Sequence, residues 1–226
     1  MEAQTPYLRL LAPGSNARGQ LSNGSDDDSH TFRECRFISC IEGTLLPNTL
    51  GILQFAIGAN RTLALLEFRD GRRELWGTHP NKTYASQRYA RCLIATAQEM
   101  PYLVLKSPSR LDVVISIGSN DFGVLGIGTR RAMATPAVIL FDHLTIEGRF
   151  INPSELIVES IVARPRHVVL HVRTVLNNEH ALIGWDLARH SQLGDTKIVN
   201  YDGPHIVSLN IPLHRCRYVL SVSNTP

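Results

Sequence analysis

The groups in this sequence best suited to chemistry are its clustered charges. Arg72-Arg73, Arg130-Arg131, Arg164 with Arg166, and Arg215 with Arg217 recur in stretches that read as turns or loops. Gathered on one face, such guanidinium pairs would suit a phosphate backbone or an acidic protein surface. Scattered, they are ordinary solvated turns. Asp26-Asp27-Asp28 is the opposite handle, three adjacent carboxylates able to meet a basic partner surface. Loops carried on a rigid scaffold are where binding specificity normally sits, so the elements that hold these charges matter as much as the charges.

Other candidate chemistry is weaker. Gly123-Val124-Leu125-Gly126-Ile127-Gly128 comes after the apolar run Val113 to Ile117 and imitates a phosphate-binding glycine loop. A nucleotide fingerprint needs a helix directly after it, whose amides hold the pyrophosphate. The next residues, Thr129 to Pro136, make a poor helix, so these glycines are expected to be structural. Cys35 and Cys40 lie five apart while Cys92 and Cys216 stand alone, unlike the two close pairs of a zinc site. Buried thiols are expected. The nine histidines are scattered; His171 and His190 can be read as ligands, but no metal is expected. The Gly-x-Ser-x-Gly elbow is absent, and no Ser/His/Asp order or carboxylate pair demands catalysis. The expectation is a protein that is not an enzyme and holds no cofactor.

Internal repeats set the frame for these residues. Gly14-Ser15-Asn16-Ala17-Arg18-Gly19-Gln20-Leu21 matches Gly118-Ser119-Asn120-Asp121-Phe122-Gly123-Val124-Leu125 in one register. A degenerate third copy puts Asp186 where Gly118 stands, Ser191 for Gly123 and Leu193 for Leu125. A fourth trace is Leu75-Trp76-Gly77. Short apolar runs precede the later copies: Gly58 to Leu66 before Trp76, Pro101 to Leu105 before Ile117, and Arg166 to Val172 before Trp185. A fourth run, Arg217 to Val222, has no copy after it. Each unit thus reads strand, turn, strand, with no room for a crossover helix, so the pairs should be antiparallel. Gly14, Gly19, Gly118 and Gly123 fall where a strand ends in a sharp turn. Leu21, Leu125 and Leu193 look like plugs against a neighbouring unit, and Val124, in the place of Gln20, is expected near the surface. Tyr84 to Met100 is ambiguous: Ala90, Leu93, Ile94 and Ala97 have helical spacing, whereas Cys92 to Thr96 suits a strand.

Length and composition agree. The chain has 226 residues, 43% apolar and 19% charged, enough for a sizeable core and unlike a disordered tail. A formal charge of +3 is too weak to argue for nucleic acid. No run reaches the ~18 apolar residues of a membrane-spanning helix. The N-terminal residues lack a basic start and an apolar core, so a cytoplasmic or nuclear protein with reduced thiols is expected.

Units that cannot bury both faces of a small sheet must stack, and radial stacking of four-stranded sheets gives a β-propeller. The motif Gly-Ser-Asn-x-x-Gly-x-Leu, preceded by an apolar or Trp position and a separate apolar strand, resembles the RCC1-like repeat (regulator of chromosome condensation). The best matches lie near 9–30, 58–77, 111–136 and 167–195, within one domain spanning 1–226. The opening motif with Asp26-Asp27-Asp28 is most similar to the small fungal alpha-tubulin suppressor proteins. The resemblance implies an all-β, seven-bladed ring. About four units are legible, where seven would need ~350 residues. The chain is therefore either truncated or short of blades, and its two ends would complete one sheet if the ring closed with four. The resemblance also implies that His167, which alone keeps the His of the first strand, bonds backbone inside its blade. It implies a protein partner, the small zinc protein shared by diphthamide synthesis and the Elongator tRNA-modification pathway. The alternative it implies is guanine-nucleotide exchange on a Ran-like GTPase.

Overall fold

The computed structural model describes residues 9–17, 19, 21, 23, 25–35, 45–57, 62–77, 84–85, 91–97, 100–106, 112–146, 148–187, 193 and 200–207. Among these residues the structure is all-β, with antiparallel pairing throughout and a single 3-10 turn. The chain divides into two compact units, Met1–Gln87 and Arg88–Pro226.

In the first unit, β1 (Leu11–Gly14) pairs with β2 (Ser29–Glu34) as a two-stranded sheet. A four-stranded sheet comes next, with β3 (Thr49–Ile57), β4 (Thr62–Phe68), β5 (Arg73–Gly77) and β6 (Tyr84–Ala85) side by side in chain order. Gly71, at φ 81°, allows the turn between β4 and β5, and its N–H donates to the Phe68 carbonyl at 2.9 Å. Leu63, Leu65 and Leu75 are buried, as are Ala64, Leu66 and Phe68, which pack with Leu46.

The second unit repeats the meander twice. The first copy is β7 (Arg91–Ala97), β8 (Met100–Lys106), β9 (Val113–Gly118) and β10 (Met133–Val138), paired in that order. A short hairpin of β11 (Thr145–Ile146) and β12 (Arg149–Phe150) comes after it, then the 3-10 turn Pro153–Glu155, whose Ser154 N–H donates to Asn152 Oδ1 at 3.0 Å. The second copy is β13 (Leu156–Arg164), β14 (His167–Thr174), β15 (His180–Leu187) and β16 (Asn200–Ile206). Each meander has the four-stranded form from which β-propellers are built.

The four repeat units read from the sequence fall in four different sheets: β1–β2, β4–β5, β9–β10 and β14–β15. The ambiguous stretch resolves as strand. Arg91 to Ala97 pairs with Lys106 to Met100 without interruption, and Cys92, Ile94, Ala95, Thr96 and Ala97 are all buried. Burial on both faces removes the alternation that marks a strand, leaving a chance helical spacing. The central strands β8 and β14 are apolar for the same reason. Tyr102, Val104 and Val114 of one sheet pack with Val158, Val168, Leu170, Ile183 and Trp185 of the next in one core. Each such side chain contributes roughly 1.5–3 kcal/mol when fully buried. Arg217 to Val222 lies outside the described residues.

Candidate binding loops

The loops after β1 and β9 share one frame, built on an asparagine. Gly14 (φ 121°) and Gly118 (φ 128°) end these strands in the left-handed region, and Asp186 (φ 82°) stands at the same place in β15. Asp is among the few residues that tolerate this region, which explains the substitution. Two residues after each glycine, Asn16 and Asn120 are fully buried. Asn16 Oδ1 accepts the Leu21 N–H at 2.8 Å, and Asn120 Oδ1 accepts the Leu125 N–H at 2.9 Å. The side-chain amides donate across the loop to the Ser25 and Thr129 carbonyls, each at 2.5 Å. The Gly19 and Gly123 N–H groups close the turn on the Asn16 and Asn120 carbonyls at 2.7 and 3.0 Å. These asparagines are the hub of both loops, and they are visible in the matched repeat alongside the glycines. Leu21, Leu125 and Leu193 are buried. Ser191 lies outside the described residues.

The second loop is locked further from neighbouring strands. The Val124 carbonyl accepts two buried donors, Trp185 Nε1–H at 2.7 Å and Tyr102 O–H at 2.6 Å. Ser116 Oγ donates to the Leu125 carbonyl at 2.8 Å. Trp185 and Tyr102 meet edge to face with centroids 5.9 Å apart, and burial raises the Tyr102 pKa well above its ordinary value. Val124 is 4% exposed, so its expected surface position is corrected: the loop turns its side chain into the core, where Trp185 and Tyr102 already lie. Trp76, by contrast, is half-buried and donates to Glu74 Oε2 at 3.0 Å.

The acidic loop carries Asp26, Asp27 and Asp28, all exposed. Asp28 has a local task, since its Oδ1 accepts the Asn16 N–H at 2.7 Å. Asp27 and Asp28 line a polar cavity of about 340 Å³ with Asn23, Ser25, Ser29, Arg33 and Glu34. Buried Ser29 forms part of its wall, donating to the Thr31 carbonyl at 2.8 Å and receiving Arg33 Nε–H at 3.3 Å.

The arginine pairs are placed differently from one another. Arg72 bonds Asp70 and Glu74, each at 2.6 Å, and lies 4.9 Å over the Phe68 ring. Its hydrogen bond with Asp70 holds that carboxyl below its usual range. Arg73 holds Glu67 at 2.7 Å. Arg130 is exposed but bonds Asp202 at 3.0 Å, and the Asp202 carbonyl accepts the Gly128 N–H at 2.9 Å. Arg131 is exposed, with its carbonyl accepting from Asn120 Nδ2 at 3.1 Å. Arg164 ends β13 and Arg166 lies in the turn to β14; Arg166 stands at φ 71° and lies 5.0 Å over the ring of Phe122, which is 49% exposed. Arg215 and Arg217 lie outside the described residues. Asp202 and Phe122 escape sequence reasoning, because neither type nor spacing marks a residue that serves a loop from another strand.

Among the remaining candidates, Cys35 and Cys92 are buried thiols, and burial pushes the Cys92 pKa up to about 12. Cys40, Cys216 and His190 lie outside the described residues. His167 is buried, and its Nε2 has no hydrogen-bond partner among the described residues. Among those residues no group of three or more His, Cys, Asp or Glu is placed to hold a metal ion, and no helix is long and apolar enough to cross a membrane.

No family profile matches the chain, and no curated protein sequence does. The structure is similar to a chain in the crystal structure of Kap60 bound to yeast RCC1 (Prp20), with a TM-score of 0.47 and 11% sequence identity. The match covers 89% of this chain and 57% of that one, so this chain spans little more than half its length.

Proposed function

We propose that this chain is a non-enzymatic binding scaffold that holds a partner protein through the charged exits of its asparagine-centred loops. One observation carries this reading. Ten and eleven positions after Asn16 stand Asp26 and Asp27; ten and eleven after Asn120 stand Arg130 and Arg131. The frame keeps its hydrogen bonds while the exposed charge it presents changes sign. A frame that accepts either sign does not dictate the charge it presents, which supports recognition as the role of Asp26 and Asp27. Beside Asp27, the polar cavity has room for the ammonium or guanidinium of a partner's basic segment.

The test is titration of the wild type and of the Asp26→Asn/Asp27→Asn double variant, at low and moderate salt. Asp28 is kept because it bonds the Asn16 N–H. The first partner to titrate is the one the family resemblance implies, the small zinc protein of the diphthamide and Elongator pathways. Weaker binding, mainly through a slower association rate with reduced salt dependence, supports the reading. Unchanged affinity at both salts moves the interface to the arginine exits. Catalytic acceleration of nucleotide release from a Ran-like GTPase replaces the scaffold with an exchange factor.

A further inference from the structure

The acidic loop carries a hydroxyl as well as its carboxylates. Ser25 is the one serine or threonine of the chain followed directly by three carboxylates, Asp26, Asp27 and Asp28. These four residues are all exposed and belong to no helix or strand; β2 starts at Ser29. Their main chain is held from one side. The Ser25 carbonyl accepts Asn16 Nδ2–H at 2.5 Å, and Asp28 Oδ1 accepts the Asn16 N–H at 2.7 Å. The Ser25 hydroxyl is held more loosely. It donates to Asn23 Oδ1 at 3.2 Å and receives the Asp27 N–H at 3.4 Å, both long for bonds to a hydroxyl.

Kinases select substrates partly by the pattern of charge around the acceptor. A kinase with a basic cleft reads carboxylates after the serine, and here they fill the first, second and third places. We propose that Ser25 is the acceptor site of an acidic-directed protein kinase, and that phosphate there strengthens the hold of the acidic loop on a basic segment. The second part rests on the function proposed above; the first stands without it. In the transfer, Ser25 Oγ attacks the γ-phosphorus of ATP. An Oγ–P bond forms, the bond from that phosphorus to the β–γ bridging oxygen breaks and ADP leaves. The hydroxyl proton passes to the catalytic aspartate of the kinase.

The surroundings suit the product. Ser25 lines the polar cavity together with Arg33, whose guanidinium is the group best shaped to receive phosphate oxygens. Arg33 Nε now donates to Ser29 Oγ at 3.3 Å, a long bond to a neutral acceptor that a phosphate would displace. The phosphate adds a charge of about −1.5 to −2 at pH 7 to a stretch that already holds three carboxylates. A cationic partner relieves the repulsion among them, so its binding gains from the modification. Thr31 also has a carboxylate three residues on, Glu34, but it stands within β2 and offers a comparison site.

The experiment incubates the full chain with Mg-ATP and one of two kinases, and mass spectrometry maps the phosphate. One kinase requires a carboxylate three residues after the serine; the other requires arginine before it. The expected result is one phosphate on Ser25 from the first kinase and none there from the second. Incorporation should vanish in Ser25→Ala. It should slow about tenfold or more in Asp28→Asn, which keeps an oxygen for the Asn16 N–H but loses the charge. Should Asp28→Asn loosen the loop, Asp26→Asn/Asp27→Asn carries the same comparison. The phosphorylated and unphosphorylated chains are then titrated with a hexaarginine peptide, and the phosphorylated form should bind about fivefold tighter at low salt. No incorporation by the acidic-directed kinase, or phosphate on Thr31 in place of Ser25, overturns the site. Equal affinity of the two forms overturns the effect on binding. Failure of the unphosphorylated chain to bind any basic segment counts against the proposed function alone, because the phosphate on Ser25 is read by mass.

Discussion

Gly19 and Gly123 hold the same place in the repeat and nearly the same backbone conformation, φ 70° and 82°, yet they should respond differently to substitution. A side chain at either must enter the left-handed region, which costs about 1–2 kcal/mol for an ordinary residue. At Gly19 nothing lies within 4 Å of the added carbon, so Gly19→Ala incurs only that strain. At Gly123 the same carbon would sit 2.7 Å from Asp202 Cα and 3.0 Å from its Cγ. Rotating the Asp202 side chain cannot clear its own Cα, so β16 must shift. That shift strains the Gly128 N–H bond to Asp202 and the Arg130 ion pair. Overpacking of this kind adds about 1–3 kcal/mol, which puts Gly123→Ala at about 2–5 kcal/mol and Gly123→Val higher. Val124→Ala, at a position 4% exposed, is a core truncation costing about 1.5–3 kcal/mol. It falls below Gly123→Val by less than a surface position would. Urea unfolding reads the series, and because the two compact units each contain one tryptophan, Trp76 or Trp185, each Trp is replaced by Phe in turn so that fluorescence reports on one unit. Equal losses for Gly19→Ala and Gly123→Ala would show that the contact with Asp202 does not constrain the loop.

Asn120→Ala removes the acceptor for the buried Leu125 N–H and the donor to the Thr129 and Arg131 carbonyls, so it should cost about 3 kcal/mol or more by urea unfolding. Asn120→Ser, which is too short to span the loop, should not rescue it. His167 is buried with its pKa lowered, by desolvation first and by the Arg164 charge second. The unfolded chain therefore takes up the proton more readily, so stability should fall as pH drops below about 6.5. Melting temperatures of wild type and His167→Gln across pH 5.5–7.5 check this, and parallel curves would exclude His167 as a source of the acid sensitivity.

The strand pairing of the blades is legible in the sequence because their middle strands are short apolar runs joined by tight turns, as in β4–β5 and β14–β15. The glycine positions are legible because a left-handed backbone leaves few alternatives. Gly14, Gly19, Gly118 and Gly123 all have positive φ. The pair β7–β8 is harder to read. β7 is buried on both faces and loses its alternation, and Pro101, which looks like a helix stop, is the second residue of β8. Analogy with Gln20 puts Val124 at the surface, and the analogy fails for a physical reason. The two loops share a backbone frame but face different neighbours, and the Trp185 and Tyr102 donors that draw in the Val124 segment come from strands far away in sequence. The ion pairs are equally out of reach, since Arg130 and Asp202 stand 72 residues apart.

The frame also bears on how strongly its charges can act. An exposed ion pair usually contributes little, because long side chains on a mobile segment lose entropy when they are fixed. Here the backbone that carries Asp26 and Asp27 is tied within the loop by Asn16 Nδ2 and by the Asp28 acceptor. Arg131 is tied through its carbonyl to Asn120, and Arg130 is already held in place by Asp202. Much of the ordering cost is met when the loop folds, so less remains when a partner arrives. The two exits differ in this respect. Arg130 must leave or share Asp202 to meet an acidic group, whereas Asp26 and Asp27 stand exposed and Asp27 lines the cavity. A basic segment at the acidic loop is therefore the better matched occupant, and the arginine exit is the one whose binding competes with a contact that holds its own loop.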